Sequence, residues 1–146
     1  LFTFRDDLAL VTQRLRAEAT GEPVVQGAEI RIPMALDGHF WIDARLNGQK
    51  VKFLVDSGAT MTTIGRRTAE RAGVDVNPAL DQVVRTGNGF IRVSRGRADS
   101  LDVGGIERRD LAVHVADNED LNVLGMNYLS SLDRWGVDGR WLVMVP

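Results

Sequence analysis

The chain has 146 residues, of which 44% are hydrophobic and 26% charged, a composition that suits one soluble globular domain with its own core. The formal net charge of −2 argues against a general nucleic-acid-binding protein, because such proteins usually carry a basic excess. The absence of cysteine excludes disulfide frameworks, thiolate nucleophiles and cysteine-based metal sites. His39 and His114 lack metal-like spacing and are interpreted as strand residues, so we predict neither a metal site nor a cofactor.

The N-terminal segment predicts a helix. Apolar side chains recur at helical spacing over residues 4–19, and Gly21 and Pro23 end the pattern. We therefore interpret residues 1–22 as a packing helix or a stem, and residues 23–146 as the folded domain.

From residue 24 onward the hydrophobic pattern changes to the alternation that is typical of β-strands. Glycine-containing turns predict four hairpins. Their strand pairs are 39–46 with 49–55, 83–85 with 90–93, 95–102 with 106–116, and 135–137 with 141–145. Short helices are predicted at residues 65–72 and 126–132. So many short strands predict an all-β barrel or sandwich with one or two short helices.

The candidate for chemistry is Asp56, in the sequence Asp-Ser-Gly-Ala-Thr that directly follows the apolar strand. Gly58 allows backbone to approach the carboxylate closely, and the hydroxyl of Ser57 is suited to hold a neighbouring loop. An isolated Asp-Ser-Gly tripeptide is weakly specific, because a plain turn with an Asx-type hydrogen bond explains it as well. Its meaning therefore depends on the segments that follow it.

Three segments in order resemble the retropepsin-like aspartic proteases, in particular their bacterial, chiefly proteobacterial branch. They are FLVDSGAT at 53–60, TGNGF at 86–90 and NVLGMNYL at 122–129. The resemblance implies a small closed retropepsin-like barrel with Asp56 as the catalytic acid. It implies that the catalytic loop is supported by Ser57, Gly58, Ala59, Thr60, Leu124 and Gly125. It also implies a substrate-binding flap formed by Thr86, Gly87, Asn88, Gly89 and Phe90, although the local sequence alone indicates an ordinary hairpin turn.

The mechanism of this family needs two carboxylates that share a proton, and the chain contains only one Asp-Ser/Thr-Gly. We therefore predict a C2 homodimer in which each copy contributes its Asp56. The expected partners are a second copy and a peptide or protein substrate, with no nucleic acid. The apolar tail at 140–146 is expected to form an inner strand or part of the dimer interface.

The bacterial relatives often have an N-terminal membrane anchor before a periplasmic domain. This predicts a periplasmic protein that is anchored to the inner membrane by a segment upstream of Leu1. The chain begins with Leu rather than Met, which fits this expectation.

The sequence departs from the retroviral pattern at Thr60 and Met126, where retroviral relatives often have an acid and an arginine that form an ion pair. Since both charges are missing together, we expect an apolar or hydroxyl contact in their place. Arginines are concentrated between the flap and the third hairpin, where they indicate either acidic substrates, an anionic membrane or a solvated strand face. They are Arg85, Arg92, Arg95, Arg97, Arg108 and Arg109.

Two alternatives to proteolysis remain open on these residues. The first is a non-catalytic peptide-binding module on the same fold, which keeps the groove and the flap but lacks a competent pair of carboxylates. The second is a β-barrel ligand carrier, in which Asp56 is only a turn residue.

Overall fold

The structure is a computed structural model that describes residues 24–26, 29–87, 89–117 and 120–146. The predicted helix at 4–19 and the predicted domain boundary near residue 22 lie outside the described residues. Within them the chain forms short strands and two short helices. The strands are β1 (Val24–Gln26), β2 (Glu29–Pro33), β3 (Trp41–Leu46), β4 (Gln49–Val55), β5 (Thr63–Gly65), β6 (Asp75–Thr86), β7 (Gly89–Val103), β8 (Ile106–Ala116), β9 (Val123–Leu124), β10 (Arg134–Asp138) and β11 (Trp141–Val145). The helices are α1 (Arg66–Ala72) and α2 (Met126–Leu129).

The four predicted hairpins are confirmed as the antiparallel pairs β3–β4, β6–β7, β7–β8 and β10–β11. In the first of them, Asn47 and Gly48 have φ values of 49° and 82°, as a two-residue Asn-Gly turn requires. The second hairpin is longer than predicted, because the strands predicted at 90–93 and 95–102 are one strand, β7. β6 begins at Asp75, well before the predicted residue 83, and its pairing with β7 is irregular between Asn77 and Gln82. The irregularity contains a proline, which cannot donate to a strand ladder.

The helix predicted at 126–132 ends at Leu129. The hydroxyl of Ser131 donates to the carbonyl of Tyr128 at 2.5 Å, and the backbone turns instead of continuing the helix. Serine favours such local side-chain bonds over a helix interior, which explains the shorter helix.

The closed barrel is confirmed. Its strands follow the order β3-β4-β9-β5-β8-β7, and β7 pairs again with β3 to close the ring. The closing pairs are Arg45 with Asp102 and Leu46 with Leu101. β6 pairs only with β7, so the β6–β7 hairpin extends the sheet outside the ring.

The chain ends in a second, four-stranded sheet with the order β1-β2-β11-β10, here called the terminal sheet. β11 lies between β2 and β10, so the apolar tail is an inner strand, one of its two predicted roles. Leu142 and Met144 point into the core from this strand and are almost fully buried.

The core fills the barrel and continues under the terminal sheet. Phe53, Ile42 and Leu101 are fully buried, and Tyr128 on α2 closes one side of the core. The hydroxyl of Tyr128 donates to the carbonyl of Ile106 at 2.9 Å, and burial raises the pKa of this phenol. In the described part of the chain, neither helix has the length and apolar character needed to span a membrane.

Candidate active site

Asp56 directly follows β4, at the place where β9 is inserted between β4 and β5. β9 runs parallel to β4 and antiparallel to β5. The backbone N–H of Asp56 donates to the carbonyl of Leu124 on β9 at 3.0 Å. The loop 56–62 therefore connects two strands that both border β9, and its first residue is hydrogen-bonded to that strand.

The carboxylate of Asp56 is oriented by its own loop. Its Oδ1 accepts a hydrogen bond from the backbone N–H of Gly58 at 2.8 Å. A Cβ at position 58 would lie 3.1 Å from that oxygen, so glycine leaves room for the contact. Asp56 and Ser57 are both exposed, and within the described residues the Oδ2 of Asp56 makes no hydrogen bond. One carboxylate oxygen is thus fixed while the other is open to a ligand, to water or to a second carboxylate.

A buried hydrogen-bond network holds the loop against α2. Thr62 is fully buried, and both its backbone N–H and its hydroxyl donate to Oδ1 of Asn127 at 2.8 Å. The Nδ2 group of Asn127 donates to the carbonyl of Ala112 at 2.7 Å. The N–H of Gly125 in turn donates to the Thr62 hydroxyl at 3.1 Å. The sequence analysis did not identify the supporting role of Asn127. Asparagine is a poor helix former, so its presence in a short helix indicates that its side chain makes hydrogen bonds elsewhere.

The predicted support residues lie where the loop meets the start of α2. The N–H of Met126 donates to the carbonyl of Ala59 at 2.8 Å, and the N–H of Asn127 donates to the carbonyl of Thr60 at 3.0 Å. A Cβ on Gly125 would lie only 2.6–2.9 Å from backbone atoms of the loop, so the close approach requires glycine. The contacts found at Thr60 and Met126 are thus backbone hydrogen bonds between loop and helix, and the expected apolar or hydroxyl contact between these two side chains stays a prediction.

A cavity of about 780 Å³ opens beside Asp56 and brings the three sequence motifs together. Thr86 and Gly87 line it from the β6–β7 hairpin, which places two of the five predicted flap residues at the cavity. Of the other three, Asn88 lies outside the described residues, Gly89 is not part of the lining, and Phe90 is 75% exposed. The remaining lining is mostly apolar and comprises Leu54, Gly58, Ala59, Thr60, Met61, Thr63, Val84, Arg85, Ile91, His114, Leu121 and Val123.

The two histidines occupy different environments. His114 lies on β8, as predicted, but it also lines the cavity, and its Nε2 is 3.0 Å from the Nε2 of Gln82. Burial, followed by the charge of Arg95, lowers the pKa of His114 below its usual 6.5. Alternation along β8 could have predicted this position. Val113 and Val115 are buried in the core, so His114 between them must face the opposite side of the sheet.

The prediction of His39 as a strand residue was wrong, because β3 begins only at Trp41. His39 lies in a turn in which its N–H donates to Oδ1 of Asp37 at 2.9 Å, while the indole N–H of Trp41 donates to Oδ2 at 2.8 Å. These two bonds, the first more strongly, lower the pKa of Asp37 below 3.8. Within the described ranges, no group of histidine, aspartate and glutamate side chains could hold a metal ion.

Comparisons with known proteins agree on one family. Residues 42–131 match the family model described as "gag-polyprotein putative aspartyl protease". The chain is 31% identical over 118 residues to the uncharacterized protein RP867 of Rickettsia prowazekii (strain Madrid E), an alignment that covers 80% of this chain and 51% of that protein. The chain spans about half the length of the curated relatives it matches.

Solved structures agree with the fold. A retropepsin-like aspartic protease from Rickettsia conorii superposes with a TM-score of 0.67 at 27% identity, over 84% of this chain and 93% of that chain. The EIAV protease in complex with the inhibitor HBY-793 superposes with a TM-score of 0.54 over 74% of this chain and 93% of that one. At 14% identity, the second match concerns the fold alone.

Proposed function

Because the chain belongs to the retropepsin-like aspartic protease family, we propose that it is an aspartic endopeptidase that acts as a homodimer. This proposal rests mainly on one structural observation. Asp56 presents an oriented carboxylate, held through Oδ1 by Gly58, in the lining of a cavity of about 780 Å³ that residues of the β6–β7 hairpin also line. These 146 residues contain no second Asp-Ser/Thr-Gly sequence, and in this proposal a second copy supplies the other carboxylate.

The proposed mechanism uses the two Asp56 carboxylates as one unit. Two carboxylates about 3 Å apart cannot both be ionised comfortably, so they share one proton. The ionised carboxylate takes a proton from a water molecule as the water oxygen attacks the peptide carbonyl, and the protonated one donates its proton to the carbonyl oxygen. The tetrahedral intermediate then collapses. The C–N bond breaks, a proton passes to the leaving nitrogen, and a carboxylic acid and an amine are released.

The cavity supports an extended peptide as the substrate. Its lining is mostly apolar, and the turn of the β6–β7 hairpin offers backbone groups beside Thr86 and Gly87. An extended peptide binds such a hairpin through backbone hydrogen bonds while alternate side chains enter pockets. In the proposed dimer, the exposed hydroxyl of Ser57 from each copy holds the opposite catalytic loop.

The direct test replaces Asp56 with asparagine, which keeps the size of the side chain and an acceptor for Gly58 but removes the carboxylate. We expect Asp56→Asn to lose peptidase activity on a peptide library while its unfolding transition stays close to that of the parent. The matched control is Asp99→Asn, which makes the same chemical change on an exposed aspartate outside the cavity lining. If Asp56→Asn cuts peptides as fast as the parent, the assignment is wrong.

A mixing experiment tests the shared site separately. Excess Asp56→Asn chain should suppress the activity of a fixed amount of parent chain, because mixed dimers contain only one carboxylate. If activity is unchanged by the added variant and proportional to protein down to concentrations where sedimentation shows only monomer, each chain has its own complete site. If the parent binds peptides and cleaves none, the non-catalytic binding module replaces the endopeptidase.

The periplasmic, membrane-anchored location stays a prediction from the family resemblance. Fractionation of cells that express the full-length protein tests it. We expect the protein in the inner-membrane fraction, with its protease domain accessible to an external protease after the outer membrane is opened.

A further inference from the structure

A row of side chains crosses the floor of the cavity from one strand to the next. The strand registers place Leu54 beside Val123, Val123 beside Thr63, Thr63 beside His114, and His114 beside Arg95. Residues paired directly across a sheet share a face, so these side chains form one continuous row, here called the floor row. Its first four members line the cavity.

The floor row changes its chemistry along its length. The row begins with the apolar Leu54, which is close in sequence to Asp56. From Thr63 onward it is polar, and its last two residues are His114 and Arg95. Three strand spacings separate Leu54 from His114, roughly 14 Å. An extended peptide covers that distance with about four residues. The cationic end therefore lies away from the carboxylate, within reach of a bound peptide.

The arginines near the cavity fall into two groups. Arg92, Arg97 and Arg109 each form an ion pair with an acidic side chain, and Arg108 donates to Ser131. Within the described residues, Arg85 and Arg95 make no hydrogen bond or ion pair. Arg85 follows the cavity-lining Val84 and pairs with the exposed Phe90, so its side chain faces the other way, whereas Arg95 lies beside His114, which lines the cavity. Asp56 is the only acidic residue in the lining that the structure describes, and no acidic side chain among the described residues forms an ion pair with Arg95, so its charge is available at this end of the floor row.

We propose that this end of the cavity, formed by His114 and Arg95, is a subsite for a carboxylate of the peptide ligand. This inference rests on the proposed function, because it names which peptides the same cavity selects. The carboxylate is the side chain of an internal glutamate or aspartate, or else the C-terminus of the peptide. A guanidinium group presents a fork of N–H donors that suits both sources.

His114 adds a dependence on pH to this subsite. The amide Nε2 of Gln82 donates to the imidazole Nε2, so the neutral ring has its proton on Nδ1. Protonation requires the amide to turn its oxygen toward the ring, and it gives His114 a positive charge. The imidazole is bordered by Thr63 on β5, Gln82 on β6 and Arg95 on β7, and only Arg95 is charged. Because burial and the charge of Arg95 lower the pKa of His114, its charge adds to the selectivity only as the pH falls, whereas the charge of Arg95 acts at every pH at which glutamate is ionised.

The experiment measures binding rather than cleavage, with the Asp56→Asn chain and fluorescent peptide pools that are blocked at both ends. The pools are identical except that glutamate in one replaces glutamine in the other. We expect the glutamate pool to bind roughly tenfold more tightly in a series from pH 5 to 7.5, with the larger difference toward the acidic end, a typical effect of a charge-assisted hydrogen bond. Arg95→Gln and His114→Gln should each remove most of this difference, and Arg95→Lys should restore part of it. Glutamine peptides with a free C-terminus, compared with their amides, test the other source.

Arg92→Gln is the matched control. It removes the same charge from the same strand, but Arg92 follows the cavity-lining Ile91 and so faces the other way. It should keep the preference for glutamate. Equal binding of all matched pools, no binding of any pool, or an equal loss in Arg92→Gln and Arg95→Gln would overturn the subsite. Selective binding by a parent chain that cuts nothing would overturn the endopeptidase instead, and cleavage without any acidic preference would overturn only the subsite.

Discussion

Replacing Asn127 with alanine should both destabilise the fold and loosen the loop at 56–62 that contains Asp56. The change removes the acceptor for two donors of Thr62, its backbone N–H and its hydroxyl, each at 2.8 Å. It also removes the donor to the carbonyl of Ala112 at 2.7 Å. Thr62 is fully buried, so water cannot replace the lost acceptor without a rearrangement of the loop.

The magnitude follows from the two buried donors. A buried group left without a partner costs about 1–3 kcal/mol. Since Ala112 is only half-buried and water can reach it, we count the two Thr62 donors and expect a loss of about 3–4 kcal/mol in the free energy of unfolding. That is a large part of the ~5–15 kcal/mol that stabilises a typical domain, and it corresponds to a fall in Tm of about 10 °C.

Urea unfolding at one fixed protein concentration measures this loss, because dimer formation would otherwise change the apparent stability. The matched variant is Asn127→Asp, compared with Asn127→Ala at an acidic pH where the protonated carboxyl keeps an acceptor oxygen for Thr62 and a donor for the carbonyl of Ala112. It should then cost about 1 kcal/mol or less. The reasoning is refuted if Asn127→Ala costs less than about 1 kcal/mol, or if Asn127→Asp costs as much as Asn127→Ala.

Three further changes test other parts of the structure. Gly125→Ala should destabilise by several kcal/mol, roughly 3 or more, because its Cβ would lie 2.6 Å from the backbone carbon of Met61, and a Tm near that of the parent would contradict this. Tyr128→Phe removes the donor to the carbonyl of Ile106 and should cost about 1–2 kcal/mol in urea unfolding, whereas an unchanged midpoint would show that water satisfies this carbonyl. The lowered pKa of Asp37 means that its ionised form stabilises the fold above pH 3.8 and that this contribution is lost as the pH falls through the folded-state pKa. Asp37→Asn should therefore flatten the loss of Tm below that pH, and an unchanged slope would contradict the assignment.

Local features of the fold were predictable from the sequence. Alternating apolar residues around Asn47-Gly48 and around Asp138-Gly139 define two hairpins, because side-chain direction and turn chemistry are set within a few residues. The position of Asp56 at the end of a strand follows from the same kind of signal.

Features that depend on distant pairing were not predictable in the same way. β9 has only two residues, Val123–Leu124, too few for alternation to identify it as a strand between β4 and β5. The contact of Asn127 with Thr62 joins residues 65 positions apart, and no local pattern encodes the partner of a buried amide. The direction of the His114 side chain was partly predictable. Its strand was predicted from the sequence, but the burial of Val113 and Val115 was needed to place the side chain at the cavity.

The insertion of β9 between β4 and β5 has a consequence for the time at which the site forms. Gly125 follows Asp56 by about seventy residues, and a contact of such long range forms late because a large loop must first close. A nascent chain that still lacks β9 has the aspartate but not the strand that hydrogen-bonds to its backbone. During synthesis on the ribosome, the Asp56 loop is therefore hydrogen-bonded to β9 only after most of the domain has emerged, and an unfinished chain lacks this support.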